Sequence, residues 1–421
     1  MKIELTLHKH KHLKMKKISF LALSLAVAAS ASAQVSVVKE AERAMKGGEE
    51  AAKVVTIITP AFSDPATAQM AQTYFIPGKA SFAEYDKLLG LKSFNKLKEG
   101  DEVKMGKLLL QGYDMFEKAF PLDSVPDAKG KVKPKYSKEM IGLLAGHFTD
   151  YTSAGADLYN AKDFDGAYRC WALFNTLPEI PAVREKISNI PADSIFGEIA
   201  FNQALAAWQG DKLDKALEAF LLAKSKGYTK KQLYDYAIAV ASGAKNEEAV
   251  LALAEEALPL YGNEDPMYMG QVVNYYLQAK NYDKAFSVIN DAIAKDPSKA
   301  QYYVIQGVLY ENTEKRPEAL AAYKKAIELD SKNAQALYNY GRQLCESAYA
   351  LNDSAPITQK EYEQYFAEKI EPLFKEAAEI LEQAYAIDQD NGDILKYLEN
   401  VYYNLHDEAK LNDVKKRMTY Q

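Results

Sequence analysis

Few residues in this chain have the types and spacing that chemistry needs. His8, His10 and His12 form an H-x-H-x-H tract that could ligate a metal ion, but a metal site needs ligands that converge from a folded frame. Outside that tract only His147 and His406 remain, and Cys170 and Cys345 are the only cysteines. Without an H-E-x-x-H pair, these four residues leave a zinc enzyme little to work with. A G-x-S-x-G elbow, a G-x-x-x-x-G-K-[ST] phosphate cradle and a G-x-G-x-x-G fingerprint are all missing. Carboxylates are abundant, but in KKAIELDSKN and EEAVLALAEEA they fall as on solvated helix faces, where an acid pair cannot be singled out. The sequence therefore predicts no catalytic residue, no cofactor and no metal, and directs attention to binding.

The elements that would position a binding surface are written as a repeat. Ala285 recurs as Ala319, Ala292 as Ala326, Tyr276 as Tyr310 and Gly307 as Gly341, each 34 residues on. Within residues 300–333, Tyr303, Val304, Gly307 and Tyr310 mark a first helix, and Asn312 and Thr313 a turn. Ala319, Tyr323 and Ala326 line one face of a second helix, with Pro317 near its start, where a missing N–H costs little. Gly307 and Ala319 let the two helices approach closely, and Asp330 stands where it could start the next helix. Units of this length stack because none buries its apolar face alone.

This pattern resembles the tetratricopeptide repeat (TPR). The family's glycine matches Gly307 and Gly341, its two alanines match Ala319 and Ala326, and its closing proline matches Pro297 but is Ser331 one unit later. The resemblance implies an all-α fold, an α-α superhelix in the form of a right-handed solenoid of helix–turn–helix units. It extends with weaker letters over residues 65–418, through Gly155 with Ala167, Ala204 with Ala216, and Ala237 with Ala249. Segments are inserted after Lys87 and after Leu351, the second adding about 24 residues between Gly341 and Ala377. The organisation read from these signals is a signal peptide (1–33), a helical lead-in (34–64) and a divergent repeat with an insertion (65–137). Degenerate units (138–265), two well-matched units (266–333), a unit with an insertion (334–391) and capping helices (392–421) follow.

In this family the outer face of each first helix lines an inner surface. Here that stripe comprises Gln301, Val304, Val308 and Glu311, with Met267, Gly270, Asn274 and Leu277 before it and Gln335, Tyr338, Arg342 and Cys345 after it. Earlier stripes contribute Tyr234, Phe201 and Trp208. Large apolar groups with few charges suit an extended or helical peptide. The partner-binding candidates are accordingly Phe201, Trp208, Tyr234, Asn274, Tyr338 and Arg342, with Tyr338 and Arg342 four apart on one face. A simpler role for that last pair is packing of Tyr338 into the next unit and pairing of Arg342 with Glu346. Gly270, Ile305 and Gln335 stand where a carboxylate clamp would need basic and amide groups, so that sub-type is set aside.

Lys14, Lys16 and Lys17 precede an apolar run from Ile18 to Ala29, followed by Ala31-Ser32-Ala33. That is a signal peptide with an A-x-A site, too short to span a bilayer; Met15 is an alternative start. Removing it leaves 46 basic and 57 acidic residues, a net charge of −11, which argues against nucleic acid or an anionic membrane as partner, and no segment predicts membrane insertion. The expected role is an exported, non-enzymatic scaffold, periplasmic or secreted, of a Gram-negative type, which binds a protein or peptide. The alternative is an envelope binding protein for glycans or other small ligands that uses the inserted segments. N-terminal mass spectrometry of exported material should return Gln34 as the first residue; an intact Met1 or Met15 terminus would contradict export.

Overall fold

The computed structural model describes residues 35–419 apart from 127, 128, 263 and 357. The signal segment and the histidine tract lie outside the described residues. Among the described residues every regular element is helical. Contacts divide the chain into two compact bodies, one ending at Ala244 and the other starting at Lys245.

The first body opens with α1 (35–46) and α2 (Ala51–Ile58), whose Val38, Ala41, Val54 and Ile58 are buried against the hairpin of α3 (Ala71–Ser93) and α4 (Asp101–Asp123). Buried Glu84 of α3 ties these elements together, accepting the first N–H of α2 and pairing with Lys104 of α4. Next come α5 (Ser137–Gly146), the hairpin α6 (Asp150–Asn160) and α7 (Phe164–Thr176), the short α8 (Pro181–Arg184), then α9 (Asp193–Gln209), α10 (Leu213–Ser225) and α11 (Lys231–Gly243). The second body contains α12 (Glu247–Tyr261), α13 (Met267–Gln278), α14 (Tyr282–Lys295), α15 (Ala300–Asn312) and α16 (Arg316–Leu329). It continues with α17 (Ala334–Asp353), α18 (Gln359–Tyr365), α19 (Glu371–Ile387), α20 (Gly392–Asn404) and the capping helix α21 (Glu408–Thr419).

One packing rule recurs through both bodies. A Cβ placed on Gly307 would lie 2.5 Å from the ring of Tyr323, sixteen residues on, and one on Gly155 would overlap the indole of Trp171 at the same interval. The bare glycine is the seat on which a large side chain of the second helix rests. Gly78 seats Phe116 and Gly341 seats Leu381, thirty-eight and forty residues on. The excess over sixteen measures the insertions as 22 and 24 residues.

The two insertions are built differently. The first lengthens its hairpin, since α3 and α4 are each 23 residues long against 13 and 14 for α15 and α16. The second extends α17 to 20 residues and adds α18, joined to α19 by a π-helical turn over Phe366–Ile370. A third insertion has no counterpart in the sequence reading. The turn residues Asp211 and Lys245 share positive φ and are 34 apart, but Lys162 and Asp211 are 49 apart. The extra fifteen residues form a 3-10 turn and α8, anchored by fully buried Leu177 and Val183. Capping also differs from expectation: Asp330 accepts the Lys332 N–H (3.0 Å) to shape the turn, whereas Asn333 caps α17 through the Ala336 N–H (2.9 Å). The short Asx side chain next to the helix start satisfies an orphan donor directly.

Gly307→Ala should lower stability by about 1–3 kcal/mol, because the Tyr323 ring it meets is held by its own hydroxyl and cannot retreat. Gly270→Ala, whose Cβ would meet nothing within 4 Å, should be neutral or gain up to about 1 kcal/mol of helix propensity. Thermal melts of the two variants check this; equal effects would mean that the seat is not where the repeat places it.

Candidate functional site

Helices α13, α15 and α17 present equivalent positions at 34-residue intervals. One column is Met267, Gln301 and Gln335; the next is Gly270, Val304 and Tyr338; the third is Asn274, Val308 and Arg342. Over α13 and α15 these columns frame a cleft of about 440 Å³, lined also by Asp265, Pro266, Val273, Leu277 and Ile305. Its origin is the second column. Where later repeats carry valine and tyrosine, α13 carries Gly270, and a Cβ there would face open space. The walls are aliphatic, and the rim offers Asn274, Gln301 and Gln335, with the Gln301 amide donating to Gln335 Oε1 at 3.2 Å. Among the described residues of the lining Asp265 is the single ionisable group, and it accepts the Met267 N–H at 2.9 Å. Such a cleft can hold an apolar side chain and hydrogen-bond a neutral polar one.

At the other end of the stripe the side chains are joined to one another. Arg342 donates through Nη2 to both Glu311 oxygens at 2.7 Å, and Tyr323 donates to Glu311 Oε1 at 2.6 Å. Burial acts to lower the Arg342 pKa, but the hydrogen bond and charge of Glu311 outweigh it, so the guanidinium is held charged. Burial, reinforced by Glu311, pushes the Tyr323 phenol up. The acid that pairs with Arg342 is thus Glu311 of the preceding repeat, not Glu346 of its own helix. Both residues belong to the predicted stripe, one helical step apart on neighbouring repeats, so this pair was within reach of the register. Tyr338 is half-buried and meets Tyr397 edge-on at 6.1 Å.

Of the six candidates, only Asn274 lines the cleft, and it is exposed. Phe201 and Tyr234 are interior, at 6% and 2% exposure. The Phe201 ring stacks on Tyr228 at 4.7 Å, and half-buried Trp208 contacts Tyr236 edge-on at 5.3 Å. Sequence reasoning missed Gly270 as a feature of the site, although its position opposite Val304 and Tyr338 was the available signal.

Of the remaining reactive groups, Cys170, Cys345 and His147 are held in packing, and His406 is exposed. Cys170 and Cys345 are fully buried, and desolvation pushes each thiol up to about 12, which keeps it protonated. His147 sits 2.9 Å from Asp150 and 3.5 Å from Asp86, with its ring stacked on Phe82 at 5.2 Å. Among the described residues no group of three or more His, Cys, Asp or Glu converges on a metal position, and no helix is long and apolar enough to cross a membrane.

No protein-family model and no curated protein sequence matches the chain. Solved structures similar to parts of it include a TPR-repeat protein from Bacteroides fragilis, 19% identical, with a TM-score of 0.33, over 61% of this chain and 98% of that one. The C-terminal part of a TPR repeat-containing protein from Cytophaga hutchinsonii is 15% identical over 63% and 92%, with a TM-score of 0.37. YrrB, described as a TPR protein with an unusual peptide-binding site, is 19% identical over 44% and 88%, with a TM-score of 0.30. Likeness at these scores carries no functional inference.

Arg342→Ala should destabilise by about 1–3 kcal/mol, because it leaves the half-buried Glu311 carboxylate without its cation. Glu346→Ala should cost less than about 0.5 kcal/mol. Denaturant melts showing the reverse order would contradict the assigned pairing.

Proposed function

We propose that this chain is a non-enzymatic scaffold that holds a peptide or protein partner in the cleft over α13 and α15. The observation that carries the reading is the opening at Gly270, an apolar hollow rimmed by amides on the face that successive first helices share. Binding there needs no reactive group. Van der Waals contact with Met267, Leu277 and Val308 would supply affinity, and Asn274 with the Gln301–Gln335 pair would orient the guest.

The charged run before Ile18 and the Ala31-Ser32-Ala33 site support an exported setting, periplasmic or secreted. Glycan or small-ligand capture by the inserted segments has less support. The first insertion is a longer hairpin, the second is α18 with its π turn, and neither lines the cleft.

The test is affinity capture from envelope extract, with the partner identified by mass spectrometry, followed by titration against variants. Gly270→Phe fills the hollow from within and should weaken partner binding at least tenfold, with a melting temperature within a few degrees of wild type. Undiminished binding by folded Gly270→Phe would move the site elsewhere.

A further inference from the structure

A second hollow in the same body, of about 400 Å³, is lined by α12, α14 and the first turns of α13 and α15, and it shares no lining residue with the cleft. Its apolar wall is formed by Leu258 and Pro259 of α12, Met269 of α13, and Val288 and Ala292 of α14. The volume is that of a small-ligand site.

Three polar side chains of the lining are left over from packing. Tyr302 is 5% exposed, and among the described residues its hydroxyl has no hydrogen-bond partner. A phenol this deeply placed ordinarily finds one. Burial, helped by Asp296, pushes the phenol up, so the hydroxyl is a neutral donor and acceptor. Asp291 and Lys295 stand four apart on α14 and both line the hollow. The same spacing closes in Asp235 with Lys231, Glu371 with Lys375 and Asp413 with Arg417. Among the described residues, Asp291 and Lys295 make neither that ion pair nor any other hydrogen bond. Asp296, by contrast, is committed to its turn: it accepts the Ser298 hydroxyl at 2.6 Å and N–H at 3.1 Å, which hold its carboxyl below the usual range.

The repeat separates these groups from the packing residues. Thirty-four residues on, Ala292 recurs as Ala326, but Asp291, Lys295 and Tyr302 become Lys325, Leu329 and Ala336. From this set we propose that the hollow binds a free α-amino acid with an apolar side chain. Its ammonium would meet Asp291, its carboxylate would meet Lys295 with the Tyr302 hydroxyl beside it, and its side chain would lie against Met269 and Val288. A simple cation would face the like charge of Lys295, and a simple anion that of Asp291; a zwitterion satisfies both. A peptide fits less well, because its two terminal charges are on different residues. The proposal is independent of the reading of the cleft.

Titration calorimetry of the full chain with L-leucine tests it. Leucinamide, which lacks the carboxylate, and isocaproate, which lacks the ammonium, should each bind at least about tenfold more weakly. Glycine should be weaker by about the same factor, since it leaves the apolar wall empty. Asp291→Asn and Lys295→Gln should each weaken leucine binding at least about tenfold, and Tyr302→Phe about fivefold, all with melting temperatures near wild type. No saturable heat from leucine, or equal affinity for leucinamide or isocaproate, would overturn the proposal. Wild-type affinity for leucine in a folded Asp291→Asn, Lys295→Gln double variant would overturn it as well.

Discussion

The structure depends on the seating of one large side chain on a bare glycine. Tyr323 on Gly307, Trp171 on Gly155, Phe116 on Gly78 and Leu381 on Gly341 each bring a second helix onto its first. A hairpin closed in this way buries a ring without leaving a void, at the cost of a glycine in mid-helix. Whatever lies between glycine and ring can vary in length. Twenty-two extra residues lengthen α3 and α4, and twenty-four extra residues become part of α17 and α18, yet the seat is kept.

The same contact reaches the binding face. The seated Tyr323 donates to Glu311, and Glu311 holds Arg342 of the next repeat, so the core of one hairpin is hydrogen-bonded to the half-buried end of its neighbour's stripe. Side chains at this end of the stripe are committed to holding repeats together. At the other end Gly270 faces away from any second helix, and its missing side chain becomes space for a guest. A glycine on the inward face closes a hairpin; a glycine on the outward face opens a cleft.

Much of this was legible in the sequence, because seat and stripe both repeat at 34 residues and spacing survives where letters drift. Gly155 and Gly341 could be placed before the structure was known, and Asn274 was assigned to the face that forms the cleft. What was not legible breaks the repeat or needs three-dimensional neighbours. Leu177 and Val183 carry no repeat letter, and the insertion they anchor shows only as an interval of 49 instead of 34 between Gly155 and Ala204, which was not read as an insertion. Phe201 and Tyr234 occupy stripe positions by register, but Phe201 is covered by Tyr228 and both are interior.

The seating contact is tested most directly by a double-mutant cycle on Gly307→Ala and Tyr323→Leu. Removing the ring removes the obstacle that a Cβ at Gly307 would meet. Gly307→Ala should therefore cost about 1–3 kcal/mol in the wild-type background and close to nothing once Tyr323 is leucine, a coupling of at least about 1 kcal/mol. Equal costs in the two backgrounds, measured by denaturant unfolding, would show that glycine and ring act independently and would contradict the account.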